Sequence, residues 1–146
     1  MSAIISDCGL YRYRLERHVL FGAGAVAWIM VNPSTADATA DDATIRKVMG
    51  FSNRLGAGQV IVGNLFAFRA TDVNALKAVR NPVGPFNDEH LEQIIADADQ
   101  LVVAWGPTAK LPPALRRRRP TTTLTARFPS PKSAPISRLN PSALTT

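Results

Sequence analysis

Residues 28–42 read WIMVNPSTADATADD. An apolar run from Ala25 to Val31 gives way at Asn32-Pro33 to Ser34, Thr35, Asp37, Thr39, Asp41 and Asp42. A continuous apolar run of this kind suits a strand covered on both faces. Proline stops it, because it has no N–H to give to a strand ladder. The polar groups therefore gather at the carboxyl end of a buried strand. The pattern recurs twice: Gln59-Val-Ile-Val-Gly63 ends at Asn64, and Leu101-Val-Val-Ala-Trp105 is cut off by Gly106-Pro107.

Helical patterns separate these runs. Residues 41–55 carry Ile45, Val48, Met49 and Leu55, with Gly56 placed as terminator and Thr39 and Asp42 at capping-box-like spacing. Thr71 or Asp72 opens a short helix through Val79, and Asn87 opens a longer one with Leu91, Ile94 and Ile95. Tyr11 to Leu15 alternates with period two and reads as an edge strand. This order predicts an α/β fold, a three-layer α/β/α sandwich with a mostly parallel central sheet. Open parallel sheets bind ligands at the carboxyl ends of their strands, so three strands are expected to deliver Asn32, Asn64 and Trp105 to one edge.

The 146 residues suffice for one globular core and are too few for two comfortable ones. No apolar run approaches the roughly 18–20 residues of a membrane span. The first residues lack the basic region and long apolar core of a secretory signal. The single cysteine, Cys8, is expected to be a free thiol, which fits a cytoplasmic setting.

The net charge of +6 is unevenly spread. Eight of the 17 Lys and Arg, and none of the 11 Asp and Glu, lie from residue 110 onward, leaving nine basic against 11 acidic residues before it. The expected organisation is an α/β domain over residues 1–109 and a basic Pro/Ser/Thr/Arg-rich tail over 110–146. That tail has the texture of disorder or of frame-shifted translation. A strand near 121–125 has little to bury, so no closing strand is expected beyond the third run. Any electrostatic case for nucleic acid rests on the tail.

Asn32 places an amide at a strand end, where it donates to and accepts from a ligand or a water, and Asp37 is the carboxylate best placed as a general base. Pro33, Ser34 and Thr35 add a stiff turn, hydroxyls and backbone amides suited to an anion or a carbonyl oxygen. Asn-Pro-Ser-Thr also reads as a plain turn. Asp37, Asp41 and Asp42 together suggest oxygen ligands for Mg²⁺, whereas Asp41 and Asp42 equally suit the start of a helix. Asn64 offers a donor and an acceptor that match the edge of a base. Phe66 and Phe68 are candidates to stack on the base and Arg69 to hold a phosphate; aromatics two apart are also common in a core. Trp105-Gly106 allows close backbone approach.

His18 and His90 lack partners at zinc-ligand spacing. Gly22-Ala-Gly precedes a strand where phosphate loops follow one, and no nucleophile elbow appears. No cofactor and no metal site is expected from motifs.

Taken together, residues 28–37, Asp41-Asp-Ala-Thr-Ile-Arg46, residues 64–72, Asn87-Asp88 and Ala104-Trp-Gly106 resemble the bacterial and archaeal domain of unknown function family 1643. A more distant similarity is to the uracil-DNA glycosylase superfamily, whose α/β sandwich ends one strand in Asn-Pro and a later one in Asn. That resemblance implies that Asn32 positions an attacking water, that Asn64 reads the base and that Trp105-Gly106 marks the following strand. The glycine after Asn-Pro is Ser34 here, and the closing His-Pro-Ser-Pro loop has only Phe128-Pro-Ser-Pro131 as a counterpart.

The sequence-based expectation is a nucleobase- or nucleotide-handling hydrolase of glycosidic-bond type. The alternatives are a non-catalytic nucleotide- or nucleic-acid-binding module, and a metal-assisted phosphate-ester hydrolase using Asp37, Asp41 and Asp42.

Overall fold

The computed structural model describes residues 1–116 and a two-residue strand at 137–138. The strands are β1 (Ser2–Ile5), β2 (Arg12–His18), β3 (Ala25–Met30), β4 (Gln59–Asn64), β5 (Gln100–Val103) and β6 (Ser137–Arg138). Helix α1 (Ala43–Arg54) joins β3 to β4, and a 3-10 turn (Val73–Ala78) with α2 (Asn87–Asp97) joins β4 to β5.

They form one sheet in the order β1-β2-β4-β3-β5-β6. β3 runs parallel to both β4 and β5, while β1–β2 and β2–β4 are antiparallel. The expected mostly parallel three-layer sandwich of the uracil-DNA-glycosylase kind is thus corrected to a mixed sheet. Two antiparallel pairings make the difference, β2 beside β4 and, outside it, a strand that the alternation of residues 11–15 did not reveal. β1 and β2 are joined by a tight turn in which Ser6 N–H donates to Tyr11 O at 2.9 Å and Gly9 N–H to Ser6 O at 2.8 Å. A connection that short permits only antiparallel neighbours, since a parallel pair needs a crossover of a dozen residues or more. β2 is consequently an interior strand, with β1 outside it.

Every residue of β3 is buried, as its unbroken apolar run requires, and its alternate side chains feed two cores. On the α1 side, Val26, Trp28 and Met30 meet Ile45 and Val48. Trp28 donates its indole N–H to Ser52 Oγ at 2.9 Å, and Ser52 donates to Val48 O at 2.7 Å, so the buried ring's polar end is satisfied. On the α2 side, Ala27, Ile29 and Ile61 meet Leu76, Leu91 and Ile94. Gly63 lets α2 settle there: a Cβ at that position would lie 2.8 Å from Leu91 Cδ2 and 2.9 Å from Ile94 Cδ1.

α1 begins at Asp42 alone. Its Oδ1 accepts from Ile45 N–H at 2.9 Å, and Thr39 takes no part in that cap. The helix ends at Gly56, whose φ of 75° is the left-handed conformation that glycine adopts without strain. Beyond β5, the chain packs Leu111 and Leu115 inward, with Leu115 joining the α2-side core. Although no closing strand was expected, Ser137 pairs with Val102 and Arg138 with Val103. The rest of the tail, with the strand considered near 121–125 and the expected disorder or frame shift, lies outside the described residues. Among the described residues no helix is long and apolar enough to cross a membrane. Cys8 is a free, exposed thiol.

Candidate functional site at the strand ends

β3, β4 and β5 point the same way and end on the same edge, with Met30 opposite Asn64 and Ile29 opposite Val103. The pairing continues past the strands through Leu65 N–H to Met30 O (2.9 Å), Phe66 N–H to Val31 O (2.9 Å) and Ala104 N–H to Ile29 O (2.8 Å). Asn32, Asn64 and Trp105 therefore share one edge of the sheet.

Asn32 Nδ2 donates to Ala70 O at 2.8 Å and to Pro33 O at 3.2 Å, while Ala70 N–H donates to Pro33 O at 2.9 Å. The amide thus ties the loop after β3 to the loop after β4. With Nδ2 committed, Oδ1 is the acceptor left over. Pro33 is buried, Ser34 is half-buried and Thr35 is exposed. Arg69 reaches three main-chain oxygens at long range: Ser34 O (3.4 Å), Thr35 O (3.4 Å) and Gly9 O (3.5 Å).

The three aspartates do separate jobs. Asp37 Oδ1 accepts from Thr39 N–H and Ala40 N–H at 2.8 Å each, and from the Thr39 hydroxyl at 3.1 Å. These bonds, the Thr39 N–H foremost, hold its carboxyl below the usual carboxylate range. A carboxylate held that low is a weak general base; what it supplies is a fixed negative charge. Asp41 Oδ1 takes the Arg17 Nε–H at 2.6 Å. Asp42 caps α1 and also accepts from Ala36 N–H at 3.2 Å. Among the described residues, no three His, Cys, Asp or Glu side chains converge as metal ligands do. Asp37 Oδ1, Asp41 Oδ1 and both Asp42 oxygens are thus taken up by main-chain N–H groups, the Thr39 hydroxyl or Arg17.

Asn64 has the most unusual environment. It keeps 1% of its surface exposed, and neither Oδ1 nor Nδ2 has a hydrogen-bond partner. Burying an amide without partners costs free energy, about 1–3 kcal/mol on mutational scales. Val62 belongs to the α1-side core, and Gly63 abuts α2. Strand alternation therefore turns the Asn64 side chain toward α1. Its main-chain carbonyl is held from the other side by Asn87 Nδ2 at 2.8 Å, with Leu65 O at 3.1 Å from the same amide. Phe66, in contrast, packs within the α2-side core, away from the face to which the Asn64 side chain turns. Trp105 packs against the same core. Gly106 turns the chain away with a φ of 71°.

Two arginines escaped the sequence reading. Arg12 and Arg17 keep 2% and 0% of their surface, on a strand that the sequence reading took only as an edge strand. Arg17 is fully engaged: Nε on Asp41, Nη1 on Glu16 O (2.8 Å) and Ser2 O (3.3 Å), Nη2 on Asp37 O (2.5 Å) and Ala40 O (3.2 Å). It fastens the acidic loop to β1 and β2. Arg12 is brought to this face by an irregularity in the ladder, where Ile4 pairs with Arg14 but Ile5 with Arg12. A bulge of this kind re-aims a side chain. Arg14 points to α2, where it meets Asp97 at 2.7 Å, while Arg12 turns to the loop after β3 and donates Nη1 to Ala36 O at 2.8 Å. Burial pushes the Arg12 pKa down to about 10, with Arg69 and Arg17 adding to the fall and Asp42 opposing it. The available sign was three arginines, Arg12, Arg14 and Arg17, within one strand of a chain whose acidic residues cluster at 37–42.

A family model described as protein of unknown function (DUF1643) matches residues 12–131. The chain belongs to that family. No curated protein and no solved structure matches it. The match to this DUF1643 chain begins at Arg12, takes in all three parallel strand ends and continues past Ala109 into the basic segment.

Proposed function

We propose that this DUF1643 chain handles a nucleobase or nucleotide at the strand-end edge, with Asn64 as the group that reads the base. The observation that carries this is the Asn64 amide, buried at the end of β4 with donor and acceptor both unpartnered. An amide in that state matches the paired donor and acceptor of a base edge, and a partner there would relieve the cost of its burial.

The reaction we assign is hydrolysis of a glycosidic bond. Asn32 supports it: with Nδ2 fixed on Ala70 O, its Oδ1 is oriented to accept from a water at the same edge. Asp37 would contribute its fixed negative charge to the cation-like sugar in the transition state. The rival reading, a binding module without turnover, uses the same Asn64.

The test is incubation of the protein with a panel of nucleosides and nucleotides, with base release followed by chromatography and binding by calorimetry. The expected result is base release that Asn32→Ala abolishes while affinity changes less than about threefold, and an affinity loss of about tenfold or more for Asn64→Ala, the order of one hydrogen-bonding pair. Binding without turnover selects the module. Unchanged affinity in a folded Asn64→Ala protein rejects the site.

A further inference from the structure

The Arg12 guanidinium is nearly as short of partners as the Asn64 amide. Nη1 is anchored on Ala36 O at 2.8 Å, Nε is buried without a partner, and Nη2 makes no hydrogen bond to a described residue. The ion pairs made by the described arginines are those of Arg14 and Arg17; Arg12 has no carboxylate within 4 Å among the described residues. Residues from 110 onward contain no Asp or Glu, so no side chain of that segment supplies the countercharge. Buried charges are ordinarily paired, because an unpaired one costs several kcal/mol even after relaxation.

The position of this cation matters as much as its state. β2 runs antiparallel beside β4, with Leu15 opposite Val62 and Arg12 N–H donating to Ala67 O. Arg12 therefore lies just beyond the carboxyl end of β4, opposite Ala67 and three residues past Asn64. The bulge turns it toward Ala36 and Asp42, the same α1-side face to which Asn64 points. Among the described residues, the buried side-chain atoms without partners on this face are Arg12 Nε and the two polar atoms of Asn64, while Tyr13 and Asn87 belong to the α2 side. Arg12 and Asn64 stand on neighbouring strands at one edge.

We infer that Arg12 is the anion-holding residue of the Asn64 site, and that the ligand is a mononucleotide whose phosphate group it binds. With Nη1 tied down, the Nε–Nη2 edge is the planar fork that pairs with two oxygens of a phosphate. Arg69 is the second cation of this edge, holding only long bonds to main-chain oxygens. Burial lowers the Arg12 pKa to about 10 despite the opposing charge of Asp42, so a further anion at the guanidinium is favoured. Two cations suit one phosphate group. A polymer would ask for a longer basic track, and the residues before 110 carry nine basic against 11 acidic side chains.

This inference rests on the Asn64 reading, and the experiment separates the two. Calorimetry on the full chain would compare a nucleoside monophosphate with its nucleoside, its free base, inorganic phosphate and a short single-stranded oligonucleotide. The comparison is then repeated on Arg12→Met, which replaces the buried charge by an apolar chain of similar length, and on Arg12→Lys.

We expect the monophosphate to bind at least about tenfold more tightly than the nucleoside. Arg12→Met should remove that advantage with nucleoside affinity unchanged within about threefold, and Arg12→Lys should restore part of it. On the wild type alone, added salt should weaken the monophosphate and leave the nucleoside unaffected; this readout stands even if the variants fail to fold. Equal affinity for nucleoside and monophosphate overturns the role of Arg12 and leaves Asn64 reading a base. Inorganic phosphate binding as tightly as the monophosphate overturns the nucleotide assignment and the base reading together. An oligonucleotide preferred by tenfold or more overturns the mononucleotide. No binding of any probe overturns both readings.

Discussion

Arg12 and Arg17 are the same residue type on the same strand and face, yet their fates differ at the level of single hydrogen bonds. Arg17 spends its guanidinium on one carboxylate and four main-chain oxygens. Arg12 spends one nitrogen on one oxygen. Removing Arg17 would strip Asp41 of its partner and leave the oxygens of Asp37 and Ala40 without their donor. Breaking a buried pair in this way costs about 3–5 kcal/mol, and the lower end applies because Asp41 keeps 22% of its side chain exposed. Arg17→Met should therefore lower unfolding free energy in urea by about 3 kcal/mol. Arg12→Met should cost under about 1 kcal/mol, since an apolar replacement of a poorly paired buried charge is often neutral. An Arg17→Met protein as stable as the wild type would show that the acidic loop is held by something else. Neither role was legible in the sequence. Alternation fixes which residues share a face, but an undetected bulge reverses that assignment for every residue beyond it.

Among the elements, the legible ones were those whose local signals agree. β3, β4, β5 and α1 combine unbroken apolar runs or helical periodicity with a clear stop, at Asn32-Pro33, Asn64, Gly106-Pro107 and Gly56 respectively, and all four form close to where the pattern puts them. β1 was missed because Ser-Ala-Ile-Ile is short and its pairing with β2 depends on a turn whose chemistry, at Gly9, the eye passes over. The α2 cap differed too. Asn87 sits inside the helix, and its side chain reaches back to the carbonyls of Asn64 and Leu65 instead of capping. That bond docks α2 against the strand ends and holds the main chain beneath the Asn64 amide.

The contact between α2 and β4 has one weak place to test, Gly63. A methyl there would press within 3 Å of both Leu91 and Ile94, and overpacking of this sort costs about 1–3 kcal/mol. Gly63→Ala should lower the urea midpoint accordingly, and Gly63→Val should do so more. Recovery in the double variant Gly63→Ala, Leu91→Val would identify the clash as the cause. A Gly63→Val protein with an unchanged midpoint would mean that the helix is not seated where the structure puts it.

At the scale of the molecule, the same charges set the response to acid. His90 stacks on Tyr13, with ring centres 4.9 Å apart and planes within 15°. Its pKa is lowered from 6.5, chiefly by burial and then by Arg14, with Glu89 opposing. A lowered pKa means that the folded state resists the proton, so stability is unaffected above 6.5 and falls as pH drops from there through the folded value. Asp37 and Asp97 lie below 3.8, Asp37 through the Thr39 and Ala40 N–H groups and Asp97 mainly through Arg14. Their contribution is complete above 3.8 and is lost as pH falls through their lower folded values. Acid unfolding should therefore proceed in two windows, a shallow loss beginning near 6.5 and a steeper one beginning below 3.8. His90→Phe keeps a ring on Tyr13 and removes the titration, so the melting temperature of that variant should stay level between pH 7 and 5 while the wild type declines. Asp97→Asn should flatten only the lower window. If His90→Phe declines with the wild type between pH 7 and 5, the upper loss belongs to another group, and the stack of His90 on Tyr13 carries no charge penalty in the fold.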